Sequence, residues 1–210
     1  KKIRVNRSNI FFKDNLGDLI VIIKIDKTLL FFDDKDLLNF FNLKGEVFNV
    51  PFNFNFEYQN NPAKYAKFNF NSKFLKLNIV NESTVEKNAS ITGKNTISFL
   101  NSTINTKYNL KEKLIIFESD NIHEGYDGNL SINPFDLSLN IHLNNHKVSK
   151  LFNINPIVIE FIKSGLLFNE NISVNTLVNV NSNAKNEIFN NAKINFHIIN
   201  GKINFNKTKF

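Results

Sequence analysis

Apolar and polar residues alternate with a period of two along most of the chain, the signature of β-strands that show one apolar face. The clearest run lies between residues 48 and 58. Phe48, Val50, Phe52, Phe54, Phe56 and Tyr58 fall on one face, and Asn49, Pro51, Asn53, Asn55 and Glu57 on the other. Pro51 brings no N–H, which predicts an edge strand or a bulge at that point. Phe68 and Phe70 share a face. The phase then slips to Leu75, Leu77 and Ile79, which predicts a bulge near Lys73. Phe135, Leu137, Leu139, Ile141 and Leu143 alternate with Asp136, Ser138, Asn140 and His142. Further runs are Ile172, Val174, Val178 and Val180, and Ile194, Phe196 and Ile198. Asn200-Gly201 then separates the last of these from Ile203 and Phe205, a strong hairpin signal. Weaker strands are expected at about 3–12, 18–26, 89–99, 103–109, 113–119 and 126–132. Leu19 to Ile23 is apolar at every position, which predicts a strand covered on both faces.

Two segments break the alternation. Asp33-Asp34-Lys35-Asp36 precedes Leu37, Leu38, Phe40 and Phe41, with Gly45 beyond, and predicts a short helix over about 34–41. The second runs over about 148–168. There Leu151, Phe152 and Ile154 lead to Pro156, which restarts a helix carrying Ile157, Ile159, Phe161, Ile162 and Leu166, and Gly165 stops it. That segment is apolar on more than one side, so it is expected to be buried or to plug something. The expected fold class is mainly β: a long antiparallel meander, curled into an open trough or a sandwich-like sheet, with one or two short helices. A chain of 210 residues suits a single β-rich domain over 1–210.

Composition narrows the chemistry. Phe occurs 23 times, Trp not at all, and Asn about 40 times. Asn, Lys, Ile and Phe share AT-rich codons, so base composition accounts for much of the Asn content and of the +7 charge. The cations are scattered without a dense basic run, and nucleic acid is not an expected partner. The absence of Cys removes disulfides, zinc–thiolate sites and thiol catalysis. The chain opens Lys1-Lys2 and has no Met, so it reads as an excerpt of a longer protein. No apolar run approaches the roughly 18 residues of a membrane-spanning helix.

Catalytic and metal signatures are missing. His142 and His197 fall on polar strand faces, and His146 falls beyond a strand end, so the i,i+4 spacing of His142 and His146 gives no ligand pair. His123-Glu124 near Tyr126-Asp127 reads as a glycine-flanked loop. No G-x-G-x-x-G, Walker or G-x-S-x-G pattern occurs. Neither an enzyme nor a cofactor nor a metal is expected.

One-faced, Phe-rich strands fit three readings. Two sheets can seal the face as a sandwich core. A closed barrel can turn it toward a bilayer, although Trp is absent and Asn204, Asn206 and Thr208 share the face of Phe210. An open trough can hold acyl chains along it. The third reading gains from a resemblance. Ser164-Gly165-Leu166-Leu167-Phe168-Asn169 followed by a strand over 171–180 resembles the short helix, "sGlL" and strand near the C-terminal end of AsmA-like proteins. Phe189-Asn190-Asn191-Ala192-Lys193-Ile194 followed by Ile199-Asn200-Gly201-Lys202-Ile203 is similar to the closing hairpin of that family. Gly128 to Leu139, with Asn133-Pro134-Phe135, and Asn9-Ile10-Phe11-Phe12-Lys13-Asp14 also resemble small members of it. These are the periplasmic bridge-type lipid transporters that include TamB and YhdP relatives. The resemblance implies a periplasmic segment, tethered to the inner membrane of a Gram-negative bacterium by an anchor outside this excerpt. It implies phospholipid as partner and a part in transport between the membranes and in envelope biogenesis. The floor candidates are Phe48, Val50, Phe52, Phe54, Phe56, Phe68, Phe70, Phe135, Leu137, Leu139 and Ile141. The alternative is a structural or adhesive β module of a surface protein with a sealed core.

Overall fold

The computed structural model describes residues 1–13, 16–33, 38–60, 64–86, 90–121, 125–133, 136–151, 155–165, 168–183 and 188–210. The strands are β1 (Lys2–Lys13), β2 (Leu19–Asp33), β3 (Leu38–Val47), β4 (Val50–Gln59), β5 (Tyr65–Ser72), β6 (Leu77–Val85) and β7 (Ile91–Phe99). They continue with β8 (Ser102–Lys111), β9 (Leu114–Ser119), β10 (Gly125–Asn133) and β11 (Asp136–Asn144). Helices α1 (Val148–Leu151) and α2 (Asn155–Ser164) follow, then β12 (Ser173–Asn181), β13 (Asn191–Ile199) and β14 (Lys202–Asn204). The fold is mainly β, as the alternation predicts. All the strands join one sheet in chain order, with β1 and β14 at its two edges. Those edges do not pair with each other, so the sheet is not a closed barrel. Among the described residues no helix is long and apolar enough to cross a membrane.

One step departs from the antiparallel meander. β11 and β12 run parallel, with Leu137 opposite Val174 and Leu143 opposite Val180. A parallel neighbour cannot be reached by a tight turn, so the chain must cross back, and α1 and α2 make that crossover. Pro156 lies in the first turn of α2, where its missing N–H costs nothing. Gly165 follows the helix at φ 72°, the left-handed conformation that ends helices.

Contacts group the chain into two compact units, Lys1–Ile104 with Ser164–Leu166, and Asn105–Lys163 with Leu167–Phe210. Each has a small core. In the first, Ile25, Leu43 and Phe52 are buried, with Ile23, Phe41, Val47, Phe54 and Phe70 packed around them. In the second, Val148 at the start of α1 is buried against Val180 and Ala192, beside Leu143 and Val178. Val148 therefore ties the crossover to the sheet.

The structure corrects several sequence expectations. Residues 38–41 are not helical but open β3; residues 34–37 lie outside the described residues. Phe40 faces Phe31 and Phe41 faces Leu30, so both sides of this strand carry an apolar residue and the spacing imitates a helix. β4 is an interior strand, not an edge. Pro51 is tolerated because β5 ends at Ser72: the β4–β5 ladder starts only at Asn53–Asn71, so no partner strand waits for a proline N–H. The Ser72 hydroxyl instead donates to the Pro51 carbonyl at 2.8 Å. Phe48 leaves the strand. Phe48 and Asn49, at φ 50° and 62°, form the two-residue turn between Val47 and Val50. The phase slip near Lys73 is a hairpin turn over 73–76 rather than a bulge. Leu19 to Ile23 is not covered on both faces, since Ile22 is 36% exposed. Helix α2 leaves Ile159 and Ile162 exposed, so it is not a buried plug along that side; Phe152 and Ile154 lie outside the described residues.

The polar face of the first unit carries a row of alternating charge. Glu57, Lys67, Glu82 and Lys94 stand opposite one another across β4 to β7. Lys67 Nζ donates to Glu82 Oε1 at 2.6 Å. That hydrogen bond and the carboxylate's charge raise the Lys67 pKa. Tyr65, on the same strand, is raised by burial first and by the charge of Glu82 second. Both groups hold their protons more tightly folded than unfolded. Their stabilisation is therefore complete below the unfolded pKa values and is lost as pH rises through the folded ones, above about pH 10. A ¹³C-tyrosine NMR titration should show Tyr65 ionising above the ordinary tyrosine range, and Glu82→Gln should bring it down. An unchanged midpoint in the variant would refute the coupling.

Candidate functional site

Strand register sorts the side chains of the first unit onto two faces. The apolar face has parallel rows. One contains Leu30, Phe41, Phe56 and Phe68; the next contains Leu43, Phe54, Phe70, Ile79 and Ile97. Rings touch between neighbouring rows. Phe41 meets Phe54 edge-on at 6.1 Å, Phe52 stacks on Phe70 at 5.6 Å, and Phe54 tilts onto Phe68 at 5.8 Å. Val50 and Phe52 are buried, while Phe54, Phe56, Phe68 and Phe70 are only partly buried. A polar border interrupts the first row beyond Phe68. Asn81 is 3% exposed on this same face, and its amide donates to Asn95 Oδ1 at 2.5 Å. The sheet thus presents a bounded aromatic strip.

The opposite face is an amide ladder. Asn42, Asn55 and Asn69 stand in register, as do Asn53, Asn71 and Asn78. Asn42 donates to Asn55, and Asn71 to Asn78 at 3.3 Å. Asn69 Oδ1 is buried in the ladder without a hydrogen-bond partner.

The second unit repeats the plan with aliphatic residues. Leu137, Leu139 and Ile141 face Val174, Thr176 and Val178 on one side and Ile132, Leu130 and Gly128 on the other. Ile115 and Phe117 of β9 extend the face, as do Ile194, Phe196 and Ile198 of β13. Leu137, Leu139 and Ile141 are partly buried. Gly128 has no side chain here because none fits. A Cβ would stand 2.1 Å from the Asn140 carbonyl oxygen and 2.7 Å from Phe117 Cζ. The Phe117 ring occupies the place a side chain would take. On the back face, His142 Nδ1 pairs with Asp127 at 3.0 Å, and His146 Nδ1 bonds to the Asn144 carbonyl at 3.0 Å. These partners hold the two histidines at separate places.

The structure therefore brings Phe52, Phe54, Phe56, Phe68 and Phe70 together on one face, with Val50 at its margin. It gathers Leu137, Leu139 and Ile141 on the face of the second unit. Phe48 sits in a turn, and Phe135 and the pair His123-Glu124 lie outside the described residues. No protein-family model, curated protein or solved structure matches the chain.

Sequence reasoning missed Phe41 and Leu43, because the segment before them reads as a helix. It also missed Phe117, on the six-residue β9, and Leu130, on β10, which contains two glycines. Phe41 could have been found by asking which neighbour the aromatic face of β4 needs across a two-residue turn.

The chain exposes 14073 Å². Among the described residues only ten hydrophobic side chains are buried.

Proposed function

We propose that the apolar faces are acyl-chain binding surfaces, and that the protein is an AsmA-like periplasmic segment through which phospholipids pass between inner and outer membrane. The observation that supports this reading is the aromatic strip of β3–β5, whose side chains are in mutual contact yet only partly buried. A sealed structural module would bury these rings, whereas Phe54, Phe56, Phe68 and Phe70 keep part of their surface. A floor of this kind needs no catalytic residue. Each methylene kept from water is worth about 0.8 kcal/mol, so a chain lying on Phe and Leu can leave a bilayer without meeting the full cost of hydration. The amide ladder on the back keeps the outer side in water. In this reading the full protein is tethered to the inner membrane by an anchor elsewhere and serves envelope biogenesis.

The test is native mass spectrometry of the chain expressed with a periplasmic signal, together with uptake of a fluorescent phosphatidylethanolamine. The wild-type protein should carry phospholipid. Phe54→Asn should reduce occupancy by about tenfold or more, the loss of roughly 1.5 kcal/mol of apolar contact. Asn55→Ala, one residue along and on the other face, should leave it unchanged. A folded wild-type chain that neither carries phospholipid nor takes up the probe would sink this reading.

A further inference from the structure

Most buried polar side chains of the sheet find a protein partner. The Thr28 hydroxyl donates to the Asn42 carbonyl at 2.7 Å, that of Ser72 to Pro51 at 2.8 Å and that of Ser83 to Ala66 at 3.3 Å. Thr106 pairs with Tyr126 at 3.1 Å, and Ser90 donates to Glu86 at 3.2 Å. Thr176 on β12 is different. It is only 3% exposed, yet among the described residues its hydroxyl has no hydrogen-bond partner. Nor is that oxygen sealed in. The enclosed oxygens without partners belong to Ser8, Asn69 and Asn140, so the Thr176 hydroxyl reaches the open side of its face.

The register shows what surrounds it. Thr176 stands in one row with Leu130, Leu139 and Phe196. Val174 and Val178 flank it on the same face of β12. No charged side chain stands in this row or in the two beside it. A hydroxyl without a partner in apolar ground costs stability, and a ligand that brings an acceptor recovers it. With no cation nearby, a neutral acceptor suits the place and a carboxylate does not. The β-branched side chain is stiff at χ1, so the donor is held in position before any ligand arrives.

We propose that Thr176 donates to an ester carbonyl of a bound glycerophospholipid. The hydroxyl thereby fixes where the glycerol end of the lipid rests on the second unit, with the acyl chains lying on the apolar residues to either side. This inference rests on the lipid-binding reading and adds a preference to it, for acyl esters over ether-linked chains of the same length.

The test pairs a diacyl phosphatidylethanolamine with its dialkyl ether analogue, equal in chain length and in headgroup fluorophore, so that the two differ only in the ester carbonyls. Titration should show the wild-type protein binding the diacyl lipid about fivefold more tightly, the worth of one neutral hydrogen bond. Thr176→Val keeps the shape and removes the hydroxyl. It should bind both lipids equally, at the wild-type affinity for the ether. Thr176→Ser keeps the hydroxyl and should keep the preference. Urea unfolding without lipid should find Thr176→Val at least as stable as wild type, because the substitution removes an unpaired hydroxyl. Infrared spectra of a ¹³C-labelled ester carbonyl should show a lower stretching frequency on the wild-type protein than on Thr176→Val. Equal affinity of the wild type for the two lipids, a preference that survives Thr176→Val, or a clear loss of stability in that variant would each overturn the inference while leaving lipid binding itself in place. Binding of neither lipid would overturn both.

Discussion

Gly128→Ala should destabilise the protein by about 3 kcal/mol, far more than a surface glycine replacement. The added carbon would stand 2.1 Å from a backbone oxygen of β11, and backbone cannot rotate away as a side chain can. Relief requires β10 and β11 to separate, which weakens their ladder on both sides of Gly128. The Phe117 ring, 2.7 Å from the same point, must move as well. Urea unfolding followed by far-ultraviolet circular dichroism measures the loss. Gly17→Ala is the comparison. Nothing lies within 4 Å of the added carbon there, and only its φ of +92° resists, so the cost should be about 1 kcal/mol. The double variant Phe117→Ala/Gly128→Ala separates the causes. If the backbone carries the effect, removing the ring leaves most of the Gly128 penalty in place. Equal small costs at Gly17 and Gly128 would show that β10 and β11 are less closely apposed than described.

Val180→Asp should cost about 3–5 kcal/mol, the penalty of an unpaired charge in an apolar site. Val180 is 1% exposed and packs on Val148 and Ala192, so no water and no cation reaches the carboxylate. The same contact holds the crossover onto the sheet. The variant should therefore show early proteolysis within α1 and α2 as well as a lower unfolding midpoint. Asn179→Asp, one residue along and on the polar face, should stay within about 0.5 kcal/mol of wild type. A Val180→Asp protein with normal stability and normal protease resistance would mean that the crossover is held by other contacts.

Strand content was legible in the sequence because the period-two pattern depends on one variable, which face is wet. Phe52, Phe54, Phe56, Phe68 and Phe70 were placed together by that pattern alone, and the Asn200-Gly201 hairpin by turn chemistry. The failures arise where a second influence acts. Phe40 and Phe41 are apolar neighbours because Phe40 pairs with Phe31 of β2 on one face and Phe41 with Leu30 on the other, an arrangement no local window contains. Pro51 marks an edge only if both neighbouring strands extend past it, and β5 stops short. The slip after Phe70 is a reversal of direction, which produces the same phase change as an inserted residue. β2 continues to Asp33 past a register shift at Ile25–Lys27 that hides its second half. The parallel pairing of β11 with β12 was unreadable, although the helical interruption between them was seen, because periodicity carries no sign of strand direction.

That single parallel step has a consequence for how the chain folds. Elsewhere each strand pairs with its immediate neighbour in sequence, so the sheet can grow hairpin by hairpin with short loops closed at each step. The β11–β12 pairing alone must wait until the two helices between them have brought the distant ends together. Its loop-closure entropy falls due before any contact across the pair is gained. The joining of β12–β14 to the preceding strands is thus the kinetic bottleneck of assembly, and until it happens β11 stands as a temporary bare edge.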